Sequence, residues 1–92
     1  MPAFSAQEVA FRLATLPGWR IEGGELTRTF EFKDFIAALA FVNQVGEQAE
    51  QASHHPDIDI RYNRVRLSLM THDAGGLTAK DFDLAAVAGR LA

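Results

Sequence analysis

The chain has 92 residues, 9 Lys and Arg against 12 Asp and Glu, a formal net charge of −3 and no cysteine. A chain this short is expected to form one domain over residues 1–92, with a core thin enough that self-association would help to hold it together. The composition excludes disulfides and thiolate metal sites, and a slightly acidic chain lacks the basic surface that a general nucleic-acid binder needs. The longest apolar stretch, residues 35–42, falls far short of the ~20 residues of a membrane span, so no membrane partner is expected. Met1 is followed by no basic segment and apolar run of signal-peptide type, which gives the expectation of a cytoplasmic protein.

Ser5-Ala6-Gln7-Glu8 has the form of a capping box, with Phe4 and Val9 at the two positions of a hydrophobic staple. The helix it predicts carries Val9, Leu13 and Leu16 at helical spacing and stops at Pro17-Gly18. Trp19-Arg20-Ile21 reads as a short strand, and Gly23-Gly24 separates it from a second strand over residues 26–32, giving a hairpin. Asp34 can cap a long helix over residues 34–53, with Phe35, Leu39, Val42, Val45 and Ala49 on one face. Pro56 disfavours helical geometry in the residue before it, so this helix is expected to end near His54 with His55 already extended.

Beyond the proline, Ile58, Ile60 and Tyr62 alternate with polar residues, as do Val65, Leu67 and Leu69. A two-residue loop at Asn63-Arg64 would pair Tyr62 with Val65, Ile60 with Leu67 and Ile58 with Leu69, placing both apolar sets on one face. The same register opposes Arg61 with Arg66 and, extended backward, His55 with His72. Thr78-Ala79-Lys80-Asp81 repeats the capping-box pattern before a terminal helix carrying Phe82, Ala85 and Leu91. The order α-β-β-α-β-β-α predicts an α+β domain, a four-stranded antiparallel sheet with three helices on one face.

The histidines are the candidates for chemistry, although spacing alone fits equally well exposed polar residues at a strand start and a helix end. Opposed residues on one face of a hairpin have Cβ atoms roughly 4.5–5.5 Å apart, so His55 and His72 could both reach one small ligand. His54 stands four residues after Glu50, within reach of its carboxylate if the helix persists. Adjacent histidines diverge, whereas zinc ligands favour i, i+2 or i, i+4 spacing, so proton transfer is a better reading than metal binding. Asp81 sits where a capping box wants a carboxylate.

Glu50-x-x-x-His54-His55-Pro56, followed by Tyr62, His72 and Asp81 at their spacings, closely resembles the signature of the pterin-4a-carbinolamine dehydratases. Gly18-Trp19, Phe30-x-Phe32 and the segment from Thr71 through Thr78 extend the resemblance over nearly the whole chain, with departures at Ile58, where many members carry Trp, and Lys80, where some carry Arg. The resemblance implies a metal-independent hydro-lyase that dehydrates 4a-hydroxytetrahydropterin to quinonoid dihydropterin, recycling the pterin after aromatic amino acid hydroxylation. No cofactor would be needed, the pterin being substrate. His54 and His72 would act as acids on opposite faces of the pterin, His55 would bind substrate and assist proton removal, and Glu50 and Asp81 would orient imidazoles or bind substrate. It further implies a homotetramer built as a dimer of dimers. Animal members also serve as dimerisation partners of a transcription factor, so the alternative is a non-catalytic interaction module.

Overall fold

The computed structural model describes residues 2–92, and Met1 lies outside the described residues. Ser5 caps α1 (Ala6–Leu13), its hydroxyl accepting from the Glu8 amide at 3.2 Å, while the Glu8 carboxylate turns along the helix to Arg12 at 2.8 Å. Trp19, expected within the first strand, sits just before β1 (Arg20–Glu22) and is buried edge-on against Phe30. Gly23 and Gly24, at φ of 57° and 81°, turn the chain into β2 (Glu25–Glu31). Asp34 caps α2 (Phe35–Ala52) by accepting from the Ala37 amide at 2.8 Å.

The buried stripe of α2 keeps Val45 and Ala49 of the expected face but differs from it in the first half of the helix. Ala38, Phe41, Val45 and Ala49 face the core, whereas Phe35 is 42 % exposed. Residues 35–42 are apolar throughout, so periodicity alone leaves the facing residue open there. The sheet decides it, because the Phe41 ring packs 4.8 Å from Phe30 and 4.9 Å from Phe32.

β3 (Asp57–Arg61) and β4 (Arg64–Leu69) follow, then a 3-10 turn (His72–Ala74) and α3 (Ala79–Leu91). The four-stranded antiparallel sheet has the order β1-β2-β4-β3, so the two hairpins join through β2 and β4. Leu26, Phe30, Val65, Leu67 and Leu69 are buried on its apolar face with residues of α2 and α3, and Val9, Leu13 and Leu16 pack against the same core. The opposite face is polar, with Thr27 against Ser68, Thr29 against Arg66 and Glu31 against Arg64. On that face partial desolvation pushes the Glu22 carboxyl up, but Arg20 and Arg66 outweigh it and hold the group below the usual carboxylate range. Among the described residues no helix is long and apolar enough to cross a membrane.

The second hairpin corrects the expected register. Arg61 pairs with Arg64, Ile60 with Val65 and Ile58 with Leu67, so the loop is Tyr62-Asn63. The apolar sets still share a face because the slip moves each pair by an even number of positions. Arg66 lies opposite Asp59, not Arg61. Asn63 fixes the loop by docking on the end of β2, where its side-chain amide donates to the Phe32 carbonyl and its own carbonyl accepts from the Phe32 amide, both at 2.8 Å. Tyr62 takes the left-handed conformation, φ 52°, and is 67 % exposed. A bulky residue there is strained, whereas Asn tolerates that region. Tyr62→Asn is therefore expected to raise stability by roughly 0.5–1 kcal/mol in urea unfolding, and a lower midpoint would mean that the ring contributes packing instead.

Candidate active site

α2 ends in a left-handed cap. Ser53, at φ 52° and ψ 40°, donates its amide to the Glu50 carbonyl, and the His54 amide donates to the Ala49 carbonyl. These paired bonds form a Schellman motif with serine where glycine is usual. The turn sends the two adjacent histidines apart, His54 into the protein and His55 onto the surface. Their carboxylate partners differ accordingly from expectation. Glu50 reaches His55, Oε1 to Nε2 at 3.0 Å, and not His54. The i, i+4 pairing assumed a helix that continues through His54, and the left-handed Ser53 ends it.

His54 instead meets Asp81, Nε2 to Oδ1 at 2.6 Å. Asp81 is fully buried at the first turn of α3, where Thr78 and Asp81 complete the predicted capping box. Its Oδ2 accepts from the Thr78 amide at 2.9 Å and from the Thr71 hydroxyl at 2.8 Å. Capping and site roles coexist because each carboxylate oxygen serves one of them. Thr71, which entered the sequence reading only as the first residue of the segment through Thr78, is thus part of the site. Nothing in its local pattern distinguishes a buried donor from a surface threonine.

His72 does not pair with His55 across the hairpin. β4 leaves the sheet after Leu69, Thr71 bridges Gly76, and His72 opens the 3-10 turn closed by Gly75 at φ 72°. All three histidines nevertheless border one open cleft of 260 Å³, together with Ser53, Met70, Thr71, Asp73 and Lys80. Within it His54 is buried and paired, His55 is exposed and paired, and His72 is exposed and, among the described residues, without a carboxylate partner. Also among the described residues, no three His, Cys, Asp or Glu side chains are grouped to hold a metal ion. A larger groove of 420 Å³ between α2 and α3 shares Lys80 with the cleft but contains no histidine.

The sequence profile of the family described as pterin 4 alpha carbinolamine dehydratase matches residues 2–91. The chain belongs to this family. A relative from Acidobacterium capsulatum, provisionally named a pterin-4-alpha-carbinolamine dehydratase, is 60 % identical over 86 residues, 94 % of each chain. A Brucella melitensis protein described as a transcriptional coactivator/pterin dehydratase has a crystal structure that superposes with a TM-score of 0.95 at 35 % identity, covering 98 % of both chains. A pterin dehydratase-like protein identified as a RuBisCO assembly factor in the alpha-carboxysome shares the fold at a TM-score of 0.69 and 23 % identity, over 80 % of this chain and 88 % of its own.

In this dehydratase-family chain the three histidines differ in what their removal does to the fold. Truncating His54 takes one of three hydrogen-bond donors from a buried carboxylate, an effect of roughly 1.5–3 kcal/mol, whereas exposed His72 leaves no cavity and should change stability by less than about 0.5 kcal/mol. Urea unfolding of His54→Ala and His72→Ala tests the contrast; a His54→Ala protein as stable as wild type would mean that water reaches Asp81 and replaces the imidazole.

Proposed function

We propose that this protein dehydrates 4a-hydroxytetrahydropterin to quinonoid dihydropterin by histidine acid–base catalysis, without metal or organic cofactor. The convergence of His54, His55 and His72 on one cleft carries the reading, in a chain that belongs to the dehydratase family. The reaction breaks the C4a–O bond and the N5–H bond, forms a C4a=N5 double bond and releases water. It needs an acid at the departing hydroxyl and a base at nitrogen, and imidazole suits both near neutral pH. In this reading His72 and His54 act as acids from opposite sides of the flat ring, while His55, supported by Glu50, binds substrate and assists proton removal. Asp81 holds His54 in place. The setting we propose is the cytoplasm, with which a chain free of cysteine is compatible.

We further propose a homotetramer, a dimer of dimers. Ile36 is 73 % exposed and Phe35 42 % on α2, and β1 and β3 are the outer strands of the sheet, so apolar surface and unpaired strand edges are both present. Val45 belongs to the protomer's own core, so a charge there is expected to unfold the chain rather than split an assembly. Sedimentation at micromolar concentration should report a tetramer that Ile36→Glu dissociates, and a fully active wild-type monomer would reject the assembly. The same exposed apolar residues favour a second reading, a docking module for another protein, and the Brucella relative is described as a coactivator.

Stopped-flow measurement of carbinolamine released by an aromatic amino acid hydroxylase separates the readings. The protein should accelerate its loss above background, EDTA should leave that acceleration unchanged, and His72→Ala should reduce it about 10²-fold, at the low end of general acid–base contributions. A folded wild-type protein that adds nothing to the background rate would leave the docking module as the function.

A further inference from the structure

Behind the cleft, Thr71 and Thr78 form a buried hydroxyl pair against Asp81, and the direction of each hydrogen bond follows from counting protons. A carboxylate only accepts. The single hydroxyl proton of Thr71 goes to Asp81 Oδ2 at 2.8 Å. The 2.8 Å contact between the two hydroxyls must then be donated by Thr78, whose Oγ1 in turn accepts from the Lys80 amide at 3.3 Å. With the Thr78 amide at 2.9 Å, Oδ2 receives two donors, and Oδ1 is left to the imidazole at 2.6 Å.

His54 consequently donates from Nε2, and in the neutral ring Nδ1 is the nitrogen without a proton. Among the described residues Nδ1 makes no hydrogen bond, and no buried side-chain nitrogen or oxygen lacks a partner. Nδ1 therefore touches solvent, on a side chain that lines the cleft.

We infer that Thr71 is a positioning residue, whose hydroxyl orients Asp81 so that His54 is locked as the Nε2–H tautomer and works through Nδ1, which accepts a proton and delivers one as an acid only after taking it up. This rests on the dehydratase reading for its catalytic consequence, but not for the tautomer itself. Deleting the Thr71 hydroxyl takes one of two donors from Oδ2 and frees the carboxylate to rotate. The carboxylate then no longer selects one ring nitrogen. A role in packing alone predicts the opposite order of variants, since Val keeps the shape of Thr and Ser does not.

The test is two-bond proton–nitrogen correlation spectroscopy of histidine-labelled protein in mildly alkaline buffer, which reads each ring's tautomer, combined with steady-state dehydratase kinetics. Wild type should show His54 only as the Nε2–H form. Thr71→Val should give a mixture of tautomers and lower kcat about tenfold with little change in KM, a fraction of the general acid–base contribution. Thr71→Ser should keep the tautomer and stay within about threefold of the wild-type rate. A wild-type His54 in the Nδ1–H form overturns the inference with no variant needed, as does Thr71→Val with an unchanged tautomer. Should Thr71→Val not fold, Thr71→Ser decides: a mixed tautomer there also overturns it. A wild type devoid of dehydratase activity would remove the proposed function, while the spectra would still decide the positioning.

Discussion

A carboxylate with no access to water must find its hydrogen bonds inside the protein, and Asp81 finds them on three different elements. It takes the Thr78 amide at the start of α3, the Thr71 hydroxyl just beyond β4 and the His54 imidazole just beyond α2. An N-cap interaction alone is worth about 1 kcal/mol, whereas leaving a buried charge unpaired costs several. The burial, rather than the cap, therefore dictates the arrangement. Thr71 and His54 must both come within hydrogen-bonding reach of the first turn of α3, which fixes where the chain leaves the sheet and how α2 ends.

That constraint explains why two adjacent histidines have such different surroundings. Ser53 reverses the chain in a left-handed step and Pro56 holds the next segment extended, so His54 turns inward and His55 outward. Both have a carboxylate partner, yet the pairs are unequal. The His55 and Glu50 side chains are 63 % and 75 % exposed, where an ion pair contributes at most about 1 kcal/mol and is screened by salt. His54 is held by the fold, and His55 is held hardly at all.

The capped helices and the alternating strands were legible because their signals are local: Ser5, Asp34 and Thr78 cap the predicted helices, and Ile58, Ile60, Val65 and Leu67 share a face. What the sequence left open depended on contacts made at a distance. The hairpin slipped because Asn63 serves β2 instead of opening a two-residue loop with Arg64. The stripe of α2 was ambiguous until Phe30 and Phe32 selected Phe41. The sequence singled out the three histidines and two carboxylates but paired Glu50 with His54, where the structure pairs it with His55, since the i, i+4 rule holds only while the helix lasts. Thr71 had no local signal because its importance comes from a residue ten positions away.

The cleft therefore combines one buried, hydrogen-bonded wall with an exposed rim. In the proposed reaction this division has a physical use. An acid or base fixed by the fold needs little reorganisation when the proton moves. Exposed groups such as His55 and His72 can adjust to a flat substrate entering from solvent. That wall also belongs to the network that satisfies Asp81, the only buried carboxylate among the described residues, so in the proposed reaction substitutions at His54 or Asp81 disturb folding and chemistry together. Only residues on the rim, His72 above all, allow the chemistry to be changed while the fold stays intact.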